Sequence, residues 1–429
     1  MNSEKVSIVT KGRRRMIKAL IGFAVAGSMF LAACGGSSSS SDGADAPAET
    51  ETEEVVQPTG EPLKVMVLTP INSPISSYPN IAKAAEIYQQ WVNDRGGIAG
   101  RPLEVTICDD KADPNESAAC GRKAVANKDI AIVGSFTLDV SSLMPILEEN
   151  TIPWFGACCP VSATEFTSPM SFVMGSVFSL FMTGGKKMIE DGCEKPAVIV
   201  GDLASADYYI GQAKLGFKSM GFDENKAVYI KVPLGASDLT AQAAQATKGT
   251  DCIFGPIGDI QWLAFLPAFN SVGGTQRLYG AQGNLNGKVA EAFPKETENG
   301  IVINSYPNLV SPAWDDYRAA LVQYKAPDLD WNSLAGLGTW AAFHAFNKIV
   351  TGMTGEVNNK TFAAAAAATS NLEMDGMTID LDFTTPWAAM DSAVPRIVNR
   401  TVYYDIIRDG KLTPEDNNTA HDMTSVYGK

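Results

Sequence analysis

Lys64-Val-Met-Val-Leu68, the loop to Asn80, the run Ile81–Val92 and the return Asn93-Asp-Arg-Gly-Gly-Ile-Ala-Gly-Arg-Pro-Leu-Glu-Val-Thr-Ile107 decide the fold. The first run is short, continuous and apolar, as a strand buried on both faces must be. Ile81, Ala84, Ala85, Tyr88, Trp91 and Val92 then recur at the i, i+3, i+4, i+7 spacing of one buried helix face. Gly96 and Gly97 supply the left-handed turn that a helix C-terminus needs. Leu103–Ile107 alternates as a second strand and closes on Cys108-Asp-Asp110. Strand, crossover helix and return form a βαβ unit with a right-handed crossover. The loop after its first strand lies at the carboxyl end of the sheet, where open α/β folds bind ligands.

Around this unit the chain is long and acidic. Its 429 residues, 45% of them hydrophobic, allow two or three domains and a sizeable core. The formal charge is −14, and residues 1–33 hold six Lys/Arg against one acid, so the remainder carries −19. Such a chain is a poor partner for nucleic acid or anionic lipid. Two histidines, His344 and His421, leave little material for a His-based metal site or a catalytic triad. Neither H-E-x-x-H nor a convincing G-x-S-x-G occurs, so no enzyme, no metal and no cofactor are expected. At the N-terminus, Lys11, Arg13, Arg14, Arg15 and Lys18 precede an apolar run, Ala19–Leu31, too short to span a membrane as a mature helix. Leu31-Ala-Ala-Cys34 resembles a bacterial lipobox, which makes residues 1–33 a lipoprotein signal peptide and Cys34 the acylated first residue. Residues 34–62, serines and then Asp/Glu/Pro/Thr, read as a flexible, self-repelling tether.

From Leu63 onward, strands such as Ile130–Val133, Ile152–Phe155, Ala197–Val200, Ala227–Ile230, Cys252–Phe254, Ile301–Asn304 and Thr401–Ile407 alternate with helical patterns. That alternation implies an α/β chain of mostly parallel sheets covered by helices on both faces. The run Asn93–Val105, in its place between helix and strand, resembles the signature of the branched-chain amino-acid-binding (Leu/Ile/Val-binding-like) family of type I periplasmic binding proteins. The resemblance covers about Leu63 to Leu412 and implies two lobes joined by three hinge crossings, near Ser171–Met174, Ile301–Asn304 and Met377–Phe383. Lobe 1 is then 63–173 plus 303–379, and lobe 2 is 174–302 plus 380–429. It further implies a monomeric, extracytoplasmic solute-binding protein of an ABC importer, anchored to the cell membrane by lipidated Cys34. Such a protein captures an amino-acid-like or related small organic solute by hinged closure and delivers it to an ABC permease. A ligand-sensing surface receptor component of the same fold is the alternative, and an extracytoplasmic hydrolase a remote one.

Seven cysteines leave six once Cys34 is assigned to lipid, and thiols outside the cytoplasm oxidise. Cys108 and Cys120 flank a short loop they can close, and Cys193 and Cys252 both sit at the amino ends of lobe 2 strands. Cys158 and Cys159, adjacent in sequence, form either a vicinal disulfide or two small buried thiols.

Ligand residues follow from the same resemblance. The family's Ser/Thr loop corresponds to Gly134-Ser135-Phe136-Thr137, running to Asp139 and Ser141 at an expected helix N-terminus. Its Ala-Thr pair falls at Cys158-Cys159, whose missing hydroxyl Ser162 is placed to replace. One tyrosine matches Tyr209, with Tyr208 a rival, and a second falls at Ile257. The ammonium-binding glutamate falls at Gln282, which removes the charge that would pair with an α-ammonium. Cys34→Ser is expected to leave folding intact and to move the protein from the membrane fraction to the soluble fraction. Fractionation and intact-mass measurement check this.

Overall fold

The computed structural model describes residues 57–73, 77–160, 162–203, 206–233, 235–387 and 394–427. The signal peptide, Cys34 and nearly all of the tether therefore lie outside the described residues. The first lobe opens with β1 (Leu63–Leu68), α1 (Pro79–Asn93), β2 (Leu103–Cys108), α2 (Pro114–Asn127) and β3 (Ile132–Val133). It continues through α3 (Met144–Asn150), β4 (Trp154–Phe155), α4 (Ala163–Thr167) and β5 (Ser171–Phe172). These five strands form an all-parallel sheet in the order β2-β1-β3-β4-β5.

The chain then builds α5 (Val177–Glu190), β6 (Pro196–Gly201), α6 (Ala206–Ser219), β7 (Val228–Val232) and α7 (Thr240–Thr247). After these come β8 (Cys252–Gly255), α8 (Asp259–Ser271), β9 (Arg277–Ala281), α9 (Gly287–Ala292) and β10 (Ile301–Asn304). It returns to the first lobe for α10 (Asp315–Gln323), α11 (Leu334–Gly352) and α12 (Asn359–Ala368). Finally β11 (Thr401–Arg408), β12 (Lys411–Pro414) and β13 (His421–Asp422) complete the second sheet, whose order is β12-β11-β10-β9-β8-β6-β7 with β13 beside β11. Strands β6 to β10 are parallel, and β11 and β12 add antiparallel edges.

The opening unit shows why this sequence folds so. Along β1, Leu63, Val65 and Val67 face the core shared with α1 and α11, while Met66 and Leu68 face the core shared with α2 and α3. Period two thus divides one apolar run between two helical layers. On α1, fully buried Tyr88 stands edge-on to Trp340 at 4.8 Å and lies 5.2 Å from Phe343, so the helix locks onto α11 through aromatic faces. At its end Asn93 uses both ends of its amide, donating to the Leu103 carbonyl (2.9 Å) and accepting from the Leu103 N–H (2.8 Å). One side chain therefore joins the helix terminus to the first residue of β2. Gly97 has φ +74°, and a Cβ there would stand 2.2 Å from the Arg101 carbonyl oxygen. Only glycine fits this turn.

Among the described residues there are three disulfides: Cys108–Cys120, Cys193–Cys252 and the vicinal Cys158–Cys159. Cys252 opens β8 next to β6, so its partner Cys193 reaches it at the amino edge of the second sheet.

The family resemblance implies a third crossing at Met377–Phe383, and in the structure that segment lies against the first lobe. Phe383 packs on Phe155 and Phe172 of the first sheet, and Leu381 bridges to Leu372. Instead, Ile397 runs parallel to Val173, and the Asn399 side chain donates to the Met174 carbonyl (3.1 Å). From Asp380 to Phe383 burial alternates, Leu381 and Phe383 in and the two aspartates out, because a segment laid on a core buries one face as a strand does. The pairing at Ile397 lies beyond the boundary expected at residue 380. Asn93→Ala removes two hydrogen bonds and is expected to lower stability by about 2 kcal/mol. Urea unfolding of the two proteins measures the difference.

Candidate functional site

Both parallel sheets end at the same place. The chain leaves the carboxyl end of β5 through Val173–Ser176 into α5, and leaves the carboxyl end of β10 through Ser305–Pro307. The two crossings are bonded to each other, Ser176 N–H donating to Ser305 Oγ at 2.6 Å with the hydroxyls 2.9 Å apart. The loops after β1, β3 and β4 therefore oppose those after β6, β8 and β9 across the crossings. This is the cleft in which the expected ligand residues would act.

In the first lobe those residues already have partners. Ser135 Oγ donates to the Val133 carbonyl and accepts from Leu68 N–H, each at 3.0 Å. Thr137 Oγ1 donates to Asp110 Oδ2 at 2.5 Å, and burial still raises the Asp110 carboxyl above its usual range. Ser141 donates its hydroxyl to Asp139, which also accepts Ser141 N–H at 2.9 Å, so the two form a local turn. The helix expected to begin there starts only at Met144, with Pro145 in its first turn, and neither Asp139 nor Ser141 caps it. Ser162 lends its hydroxyl to a capping box with Glu165 on α4. Phe136 is buried with its ring 4.8 Å from Tyr78. Cys158 is also buried, and its N–H donates to the Ser135 carbonyl (3.0 Å), which brings the two cleft loops together; Cys159 remains partly exposed.

The second lobe presents apolar surface. Tyr208 and Tyr209 sit in the first turn of α6, beyond the carboxyl end of β6, with rings 5.4 Å apart. Tyr208 also meets Phe178, which contacts Phe166 of the first lobe at 5.3 Å and stacks on Tyr427 at 5.8 Å. Tyr209 packs edge-on against Phe181 at 4.7 Å. The result is an aromatic chain running from one lobe to the other. Exposed Leu138, Leu203 and Ile260 (73% accessible) stand in or beside the loops after β3, β6 and β8. Ile257, by contrast, is buried in the core beneath α8, and only its carbonyl is engaged, by the Asn284 amide.

Gln282 is buried at the end of β9, where its Oε1 accepts from Ser305 N–H (3.0 Å) and Tyr306 N–H (3.4 Å) and its Nε2 donates to the Asn332 carbonyl (3.1 Å). It holds the second crossing through these three bonds. Beside it lies a cavity of about 550 Å³ between the lobes, bordered by Asn286, which caps α9, and Lys288 on α9, and by Asn308, Asp330 and Trp331 opposite. Gln282 is the one expected ligand residue on its lining. Burial raises the Asp330 carboxyl to about 6. The signal that marks this wall in sequence is Asp328-Leu-Asp-Trp-Asn332, an acid–aromatic–amide run just before the N-cap Ser333 of α11. Tyr427 carried no comparable signal. No helix among the described residues is long and apolar enough to cross a membrane.

Comparison with known proteins agrees with this architecture. A family model described as periplasmic binding protein matches residues 62–395. No curated protein sequence matches the chain. Among solved structures, a substrate-binding periplasmic protein from Ralstonia solanacearum is similar at TM-score 0.69 and 16% identity, covering 82% of this chain and 99% of its own. A branched-chain amino acid transporter substrate binding protein from Streptococcus pneumoniae, in complex with isoleucine, gives 0.66 and 19%, with 84% and 98% covered. An ABC transporter solute binding protein from R. palustris, in complex with benzoate, gives 0.65 and 18%, with 85% and 98% covered. At these identities the likeness is one of fold. Gln282→Leu strands two backbone N–H groups and one carbonyl, and is expected to cost at least about 3 kcal/mol. Chemical denaturation checks it.

Proposed function

Because the chain belongs to the periplasmic binding protein family, we propose that it is the extracytoplasmic, lipid-anchored solute-binding component of an ABC importer. It captures a small, partly apolar organic solute by closing its lobes and presents it to a permease. The observation that carries this reading is the pair of opposed carboxyl edges, joined through bonded crossings and carrying apolar side chains on both sides. Ligand contacts to both lobes favour the closed state, and the binding energy is used for closure rather than chemistry.

The accounting of polar groups supports a ligand other than a free amino acid. An α-carboxylate needs donors, and the hydroxyl protons of Ser135, Thr137, Ser141 and Ser162 are all directed at protein acceptors. An α-ammonium needs an acid, and Gln282 stands at that position with its Oε1 already accepting from two backbone N–H groups. Bringing a zwitterion into a closed cleft without those partners would cost several kcal/mol. Among the described residues we assign recognition of the solute to Tyr208, Tyr209 and the exposed aliphatic rim. Isoleucine and benzoate, bound by the two solved relatives, share an apolar body, and that is the part this cleft is equipped to hold.

Calorimetry on the purified protein, stripped of co-purified ligand by partial unfolding, tests the proposal. Leucine, isoleucine and valine are expected to bind more weakly than about 100 μM, roughly 5.5 kcal/mol. Mass spectrometry of the released ligand should identify an apolar solute lacking the α-amino-acid head. Micromolar leucine binding would return the protein to amino-acid capture.

A further inference from the structure

The vicinal pair Cys158–Cys159 lies where the cleft meets the hinge. Cys158 is enclosed from three sides. Its N–H is held by the Ser135 carbonyl. Towards α11, a Cβ on Gly338 would stand 3.2 Å from the Cys158 Cβ and 3.3 Å from the Tyr306 ring. Towards the first crossing, a Cβ on Gly175 would stand 3.3 Å from the Tyr306 hydroxyl, 3.4 Å from Ser305 Oγ and 3.5 Å from the Cys158 carbonyl. Both crossings, the loop after β3 and α11 thus converge on one buried cysteine. Its neighbour Cys159 is partly exposed.

The other two disulfides differ in kind. Cys108–Cys120 and Cys193–Cys252 close loops across sequence separations of 12 and 59, with Cα atoms 6.0 and 6.1 Å apart. Closing a loop restrains the unfolded chain and so favours the bond. Adjacent cysteines close no such loop, and their Cα separation of 3.8 Å lies below the usual range of roughly 4.4–6.8 Å. The vicinal bond therefore contributes little to global stability. What it fixes is the local path of the chain after β4.

We propose that Cys158–Cys159 is a thiol–disulfide exchange site for a dithiol reductant, and that opening it loosens the hinge. A thiolate of the reductant attacks Sγ of the partly exposed Cys159, forming a mixed disulfide and releasing Cys158 as a thiolate that takes up a proton. The second thiol of the reductant then displaces Cys159, which is protonated in turn, and the reductant leaves as its own disulfide. Two electrons pass to the protein and two thiols result. Unbonded sulfurs require a separation near van der Waals contact, about 3.5–4 Å. Cys158 has no room to yield, so the Cys159 side moves, and with it the loop that the Cys158 carbonyl couples to Gly175.

Graded dithiothreitol followed by alkylation and peptide mass spectrometry of the full-length protein in detergent tests the first half. Cys158 and Cys159 should be labelled at reductant concentrations at least tenfold below those that label the other four. Hydrogen exchange tests the second half, with amides of 173–176 and 305–306 expected to exchange at least threefold faster once the pair is open. The double variant Cys158→Ala/Cys159→Ser should show that faster exchange without reductant and no response to it. Earlier or simultaneous opening of either long-loop disulfide, free thiols before any reductant is added, or unchanged exchange in the reduced protein or the variant would each overturn the proposal. None of these readouts depends on the identity of the solute.

Discussion

A buried side-chain amide governs the geometry of this molecule. Gln282 ends β9, accepts from two consecutive backbone N–H groups of the second crossing, and donates to the carbonyl of Asn332 in the opposite lobe. Two of its partners, Ser305 N–H and Tyr306 N–H, belong to a segment that must change direction between lobes without a helix or sheet to satisfy it. Buried backbone groups left without partners cost free energy comparable to lost hydrogen bonds. An amide can meet this demand because it carries donors and an acceptor together. A glutamate would answer the two N–H groups and repel the carbonyl.

The same reasoning extends to the first lobe. Ser135 and Thr137 stand in the cleft loop, yet their hydroxyls brace β1, β3 and the buried Asp110. Polar residues at the carboxyl edge thus preorganise the scaffold, and the recognition we propose rests on aromatic and aliphatic surface. Loops are where binding residues concentrate, but a loop must first satisfy its own backbone.

How much of this was legible in the sequence depended on distance along the chain. The βα unit from Lys64 to Ile107 was readable because its signals are local: helical period, a glycine turn and an alternating strand. Asn93 and Leu103, ten residues apart, belong to that local grammar. The state of Ser135 was not readable, since it is set by Leu68, 67 residues away, and that of Gln282 by partners 23 to 50 residues on. The resemblance implies a crossing at Met377–Phe383, and the pattern there could not place it, because one-sided burial says nothing of ladder partners. The wall at Asp330 and Trp331 escaped notice because a cavity is a property of two lobes together.

The crossings are also bonded sideways, Ser176 to Ser305 and Asn399 to Met174, with Ile397 paired beside Val173. Separate linkers would let the lobes twist, slide and bend independently. Strands laced to one another resist the first two, which leaves a single soft coordinate about an axis through the serine pair. Each lobe is then a lever arm on a common pivot. A small change in backbone angle near Ser176 becomes a large change in spacing at the far tips, so an outside partner could read occupancy from a distance without touching the solute.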